Sequence, residues 1–384
     1  MTPTPLPRRR RAGVVAAGAI GSLSIAIAAV SGAHAATATT VVGQASPVQA
    51  APAPAQFVPG YRPGGSAGGT GSSTGGLGGT SSSGTTTVAS TAQQVGIVEI
   101  DTVLQYENAQ AAGTGMILTS DGEILTNNHV VQGATSISVT ISSTGVTYAA
   151  TVVGTAPTDD VAVLQLSNAS GLQTAQLSTS AATVGEAVTG VGNAGGTGTL
   201  TAATGTVTAL DQSITASDAN GGDAEQLSGL IETDAAIQAG DSGGPLYGDD
   251  GTIIGIDTAA SSGGPADAYA IPIANAEAVA TQIEAGVDDA TIHQGLPAFL
   301  GVSLQDGTEG ATVAGVLSGG AAENAGLTAG DVVTSIDGTA ISSAGDVRSA
   351  LAGYDPGDQV IVTWTTATGA TGASTVILGT GPAD

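Results

Sequence analysis

Gly240-Asp241-Ser242-Gly243-Gly244-Pro245-Leu246 is the stretch on which the reading of this chain turns. One serine sits between glycines, in a loop whose backbone amides can converge on a point beside its hydroxyl. A serine hydroxyl acts as a nucleophile only when a base takes its proton and donors stabilise the oxyanion its attack creates. The glycines address the second need, and a histidine must address the first. The chain has three histidines, His34, His129 and His293. His129 lies in Thr126-Asn127-Asn128-His129-Val130-Val131, directly after a strand-like run ending at Leu125. A carboxylate must then fix the imidazole tautomer and stabilise the imidazolium. Asp159 and Asp160 both precede the apolar run Val161 to Leu166. At a strand entrance the neighbouring backbone can hold an acid, whereas mid-strand it would be an unpaired buried charge.

Around these residues the pattern is one of short strands. Residues 96–100, 115–118, 137–141, 161–166, 204–210 and 252–256 are β-branched or alternating, and turn signals such as Ser120-Asp121-Gly122 punctuate them. Many short strands with regular turns predict an antiparallel sandwich or barrel. Helical periodicity is sustained only near 274–285. Strand-like segments at 301–304, 311–316, 332–336 and 360–364 surround short helical stretches at 321–325 and 344–352, which predicts a second, small αβ module.

The amino-terminal part reads differently. Arg8 to Arg11 precede the uncharged apolar run 12–30 and then Ala33-His34-Ala35, a small-x-small cleavage pattern. This is an export signal, either cleaved or kept as a membrane tether through residues 12–30. Both cases place the remainder outside the cytoplasm, secreted or at the cell surface. Residues 36–91 are dominated by Ala, Pro, Gly, Ser and Thr and predict a disordered linker. The expected domains are therefore a signal at 1–35, a linker at 36–91, a catalytic unit at 92–285, a connector at 286–295 carrying a solvated His293, and a small module at 296–384.

The 384 residues carry a formal charge of -26, yet acids number only 32. The imbalance comes from missing cations: there is no lysine, and four of the six basic residues are Arg8 to Arg11. Such a chain cannot neutralise a phosphate backbone, so nucleic acid is not an expected partner. No cysteine is present, which excludes thiolate catalysis and thiolate metal ligation. Two distant histidines beyond the signal offer no metal ligand pair, and no cofactor is expected. Gly190-Val191-Gly192-Asn193-Ala194-Gly195 fits G-x-G-x-x-G, but Gly196-Thr197-Gly198-Thr199 follows instead of a helix, so it is not read as a nucleotide site.

The order His129, Asp160, Ser242 is that of the chymotrypsin-like double β-barrel. The runs 126–131, 160–164, Thr233 to Ile237 and 240–246 together resemble the HtrA/DegP family of trypsin-like serine proteases. Gly113-Thr114-Gly115-Met116, Gly192-Asn193, Thr204-Gly205-Thr206-Val207 and Tyr269-Ala270-Ile271-Pro272-Ile273 extend the likeness. The family register selects Asp160 over Asp159. The resemblance implies a mainly β fold, a double β-barrel followed by a PDZ-like domain. It implies a serine endopeptidase with His129, Asp160 and Ser242 as triad and the loop Gly240, Asp241, Ser242 around the oxyanion hole. Asp241 is expected to shape that loop through a local hydrogen bond, with the amides of Gly240 and Ser242 as the donors. Ala236 is expected at the base of the substrate pocket, where its lack of charge disfavours Lys or Arg. Phe299-Leu300-Gly301-Val302 looks like a PDZ carboxylate loop, in which Leu300, Gly301 and Val302 would receive a peptide terminus. Expected partners are unfolded polypeptides or exposed carboxyl termini, and a second copy or two in a trimer. A peptide-binding chaperone or adaptor with a silent protease domain is the competing expectation.

Overall fold

The computed structural model describes residues 85–216, 225–260, 268–307 and 310–383. The expected signal and residues 36–84 of the expected linker lie outside the described residues.

The chain enters through β1 (Thr86–Val88) and lays down β2 (Ile97–Leu104), β3 (Ala109–Ile117) and β4 (Glu123–Thr126). After a one-turn helix α1 (Asn128–Val131) come β5 (Ser136–Ile141), β6 (Val146–Ala156) and β7 (Val161–Leu166). Strands pair in the order β6-β5-β2-β3-β4-β7, and β6 also pairs with β7, so six strands close on themselves. A second closed set follows from β8 (Ala187–Gly192), β9 (Thr201–Ala216), β10 (Glu225–Thr233), β11 (Pro245–Tyr247), β12 (Ile253–Ala260) and β13 (Ala268–Pro272). Its order is β9-β10-β13-β12-β11-β8, with β8 returning to β9. Closure leaves no free edge for these strands.

Aliphatic side chains fill the barrels, as a chain with 2% aromatic residues requires. Ile97, Ile100, Met116, Ile117, Ile124, Leu125 and Leu164 have no accessible surface. Each such side chain contributes roughly 1.5–3 kcal/mol of burial. In β7 the run is apolar on both faces and five of its six residues are buried, so it reads as a continuous hydrophobic stretch rather than an alternating one.

The second barrel ends in helix α2 (Ile273–Glu284), whose Ile273, Ala276, Ala280 and Ile283 form its buried face. Next, β14 (His293–Gln294) pairs with β6, opposing His293 to Thr155. His293 is thus half-buried in a sheet, which corrects the expectation of a solvated connector. Gln294 secures the turn by donating to Ile283 O at 3.0 Å and Val287 O at 2.7 Å. The linker expectation is corrected at its end as well. Thr86–Val88 pair with β9 and Ala89 is 4% exposed, within the core. Thr86, Thr87 and Val88 are β-branched, and composition alone groups such threonines with loop residues.

The remaining chain forms β15 (Ala298–Phe299), β16 (Val302–Gly307), β17 (Gly310–Val316), α3 (Ala321–Ala325), β18 (Val332–Ile336), β19 (Thr339–Ala340), α4 (Ala344–Leu351), β20 (Gln359–Thr365), β21 (Thr371–Ile377) and β22 (Gly379–Thr380). The main sheet runs β16-β17-β18-β20-β21, so β16 lies at its edge. Ser343 and Asp346 form a reciprocal capping box at the start of α4. A two-stranded ribbon of β15 and β22 leads to Ala383, whose amide donates to Ala134 O at 3.0 Å while Gly133 donates to Ala383 O at 2.8 Å. Tyr106 and Phe299 stack nearby, with centroids 5.5 Å apart. Among the described residues no helix is long and apolar enough to cross a membrane.

Candidate active site

In α1, Val130 and Val131 are buried against the first barrel while the His129 side chain remains 35% exposed. One turn of helix separates these directions, so packing two valines aims the imidazole at the cleft. Asp160 follows the 3-10 turn Pro157–Asp159 and takes left-handed backbone angles, with φ 51°. Such angles suit Asp better than a β-branched residue. The Asn127 amide group donates to Asp160 O at 2.9 Å and holds this turn in place.

The Asp160 carboxylate is 2% exposed and collects donors. The His129 backbone amide reaches Oδ1 at 3.0 Å, and Nδ1 lies 3.0 Å from Oδ1 and 2.9 Å from Oδ2. Thr258 Oγ1 donates to Oδ2. Because a carboxylate can only accept, Nδ1 carries the proton, and Nε2 is left with the lone pair needed for base catalysis. Asp159, by contrast, is exposed in the preceding turn. The structure therefore brings Asp160, and not its neighbour, to His129.

Ser242 lies between β10 and β11, stitched to the first barrel by Thr114. Thr114 N donates to Ser242 O at 2.9 Å, Thr114 Oγ1 donates to Gly240 O at 2.8 Å, and Asn193 N donates to Thr114 Oγ1 at 2.9 Å. Gly240 has φ 98° and a Cβ there would stand 2.2 Å from Asn193 O, so the turn admits only glycine. Ser242 Oγ donates to Thr258 O at 3.3 Å. Thr258 thus touches both Asp160 and Ser242. Sequence reading missed it because the strand-like run at 252–256 stops two residues short. Its signal was a hydroxyl two residues beyond the apolar run, in what is still the strand β12.

Within the expected oxyanion loop the three amides differ in their bonding. The Asp241 amide donates to Gln238 O at 3.0 Å and is spent within the turn. Among the described residues no acceptor meets the amides of Gly240 and Ser242, and these two are the donors the loop can offer. The Asp241 side chain accepts from Gln238 N at 2.9 Å, a local bond that shapes the loop. Burial pushes the Asp241 carboxyl up to about 6. Ala236 is half-buried and packs beside Ala203, Ala235, Ile237 and Ala268, an uncharged wall. Gly190 and Gly192 belong to β8, and a three-residue 3-10 turn, Ala194–Gly196, follows them.

In the second module, Leu300 is buried, and Leu300 O and Gly301 O accept from Ala322 N and Leu317 N, both at 2.9 Å. These bonds fix the turn Leu300-Gly301-Val302 at the start of the edge strand β16, where Gly301 has φ 76°. Among the described residues no group of three or more His, Asp and Glu side chains could hold a metal ion.

Two family models match the chain, a trypsin-like peptidase domain over residues 113–256 and a PDZ domain over residues 298–365. The chain is 35% identical over 272 residues to a probable periplasmic serine protease do/HhoA-like of Haemophilus influenzae, covering 67% of this chain and 56% of the relative. It is 35% identical over 271 residues to the periplasmic serine endoprotease DegP of Escherichia coli, covering 67% and 54%. It is 33% identical over 306 residues to the serine protease PepD of Mycobacterium tuberculosis, covering 74% and 63%. The chain spans somewhat over half the length of these curated relatives.

Proposed function

The chain is HtrA/DegP-like, a trypsin-like peptidase domain followed by a PDZ domain, and from that premise we propose that it is an exported serine endopeptidase. The observation that carries the reading is the doubly contacted His129 Nδ1 on buried Asp160, one hydroxyl away from the Ser242 loop. His129 Nε2 takes the Ser242 proton as Oγ attacks the peptide carbonyl. Asp160 keeps the ring in this tautomer and stabilises the imidazolium. The amides of Gly240 and Ser242 receive the oxyanion. His129 then protonates the leaving amine, the acyl group stays on Ser242 Oγ, and a water activated by the same nitrogen releases it.

The substrates are unfolded or damaged exported polypeptides. The free edge of β16 and the Leu300-Gly301-Val302 turn support capture of a carboxyl terminus, with the peptide adding a strand beside α4. The protease domain begins before residue 92, at the β1 strand. An extracytoplasmic location follows the export signal and the periplasmic relatives.

The competing reading, a peptide-binding adaptor with a resting catalytic domain, draws on the Ser242 hydroxyl, whose proton already has Thr258 O as acceptor. A fluorophosphonate probe separates the two. Labelling of Ser242, with or without a hydrophobic peptide, supports the endopeptidase. No labelling under either condition rejects it in favour of the adaptor.

A further inference from the structure

Beneath the nucleophile loop lies an acid that the triad does not use. Asp257, on β12, has no accessible surface, and neither of its carboxylate oxygens has a hydrogen-bond partner among the described residues. Asp241 is 3% exposed, and its Oδ1 likewise has none. Both carboxyls lie against one face of β8. A Cβ on Gly190 would stand 2.7 Å from Asp257 Oδ2, and a Cβ on Gly192 would stand 2.7 Å from Asp241 Oδ1. Positions two apart on a strand share a face, so the two glycines clear a common space for the two acids. The backbone of Asp257 also holds the loop: Gly243 N donates to Asp257 O at 2.8 Å and Asp257 N donates to Gly244 O at 2.9 Å.

A bare carboxylate in such surroundings needs a counter-charge or a donor. The described residues place no Lys or Arg beside the pair. The chain lacks lysine, and Arg348, on α4 of the other module, is the only Lys or Arg among the described residues. The packed elements bring nothing cationic. β8, β3 and residues 193–196 and 235–240 carry no titratable side chain besides the pair itself. On β11, the Tyr247 hydroxyl donates to Gln93 O at 3.2 Å. On β13, Ala270 opposes Asp257 and Tyr269 takes the alternate face. His129, across Ser242, is engaged by Asp160. A proton is the remaining counter-charge. Placed on one carboxyl, it makes that group a donor to the other, so two of the three orphaned oxygens gain a use.

We propose that Asp257 is a positioning residue for the oxyanion loop, sharing one proton with Asp241 and so fastening the Gly240–Gly244 turn to β8 and β12. The inference rests on the reading of Ser242 as nucleophile. Burial raises both carboxyls, and the charge of Asp241 raises Asp257 further. As pH rises and the proton leaves, two buried carboxylates face each other with no cation between them. Asp241 relieves the repulsion by moving outward, and the flanking amides of Gly240 and Ser242 move with it. The loop therefore has a fastened form at lower pH and a loosened form at higher pH.

The test uses the full chain, as wild type, Asp257→Asn and Asp241→Asn. Carboxyl signals of 13C-labelled aspartate are followed between pH 4 and 9, with hydrogen exchange of residues 240–244 over the same range. In the wild type, one carboxyl is expected to remain protonated near neutral pH, and exchange of 240–244 is expected to rise about fivefold beyond its intrinsic pH dependence as the pair ionises. Asp257→Asn, whose amide donates to Asp241 at every pH, should remove both effects. If that variant does not fold, Asp241→Asn and the wild-type titration carry the same comparison. Ordinary titration of every aspartate below about pH 5 overturns the proposal, as does an exchange step that survives in the variants. Fluorophosphonate labelling runs alongside. A shifted carboxyl and a loosening loop with no labelling at any pH would support the shared proton and count against the endopeptidase reading.

Discussion

Asp160 and Asp257 are the same residue type at the same depth, one behind each side of the cleft, and their surroundings differ in kind. Asp160, from the first barrel, meets a backbone amide, an imidazole N–H and the Thr258 hydroxyl. Asp257, from the second, meets none among the described residues and adjoins another acid. Burial alone therefore does not decide what an acid does. Donors surround one carboxyl and are missing around the other, whose burial and acidic neighbour push it well above the usual carboxylate range. Each barrel also reaches across the cleft, since Thr258 of the second donates to Asp160 and Thr114 of the first holds the Ser242 loop.

The sharpest way to break this contrast is to remove the group both sides serve. Ser242→Ala should lower turnover of an unfolded protein substrate by ~10^4 to 10^6-fold with an unchanged melting temperature; retained turnover would reject the nucleophile. Next in size, Asp160→Asn keeps the shape but lets an amide N–H face Nδ1, and should lower kcat by ~10^4-fold through the wrong tautomer. Stability against pH probes the opposite side. The Asp241 carboxyl is raised to about 6 in the folded chain, above its unfolded value of about 3.9. The folded state therefore binds more protons between these values, and stability falls as pH rises from about 4 to about 6, by of order 2–3 kcal/mol. Denaturant titrations should show this fall in the wild type and a smaller one in Asp241→Asn. The smallest of these effects belongs to the residue linking both sides. Thr258→Val removes one donor to Asp160 and should cost about 1–2 kcal/mol in kcat/KM, roughly tenfold.

The barrel framework was legible where strands were apolar and β-branched. Val161–Leu166 and Ser136–Ile141 were plain, as was the helix at Ile273–Glu284. Strands built from Thr, Ala and Gly were not. β6 and β21 are half-exposed or mixed, and their composition matches that of loops. His129, Asp160 and Ser242 could be picked out because each bears a distinctive group close to a strand end. The Asp241–Asp257 pair could not, because it needs three-dimensional proximity: the glycines that make room for it resembled a nucleotide motif, and Asp257 followed the last residue of the strand-like run. An acid directly after an apolar run, in a chain without lysine, was the available clue.

The scarcity of Lys and Arg reaches beyond the site. With Arg348 the one such residue among the described part, the fold has almost no Lys or Arg ion pairs for dissolved salt to weaken. Its formal charge of -26 instead makes neighbouring surfaces repel. At 1 M salt the screening length shrinks to about 3 Å, so added sodium chloride should raise the melting temperature steadily rather than lower it. A molecule assembled this way suits briny surroundings, where proteins that lean on surface ion pairs lose part of their support.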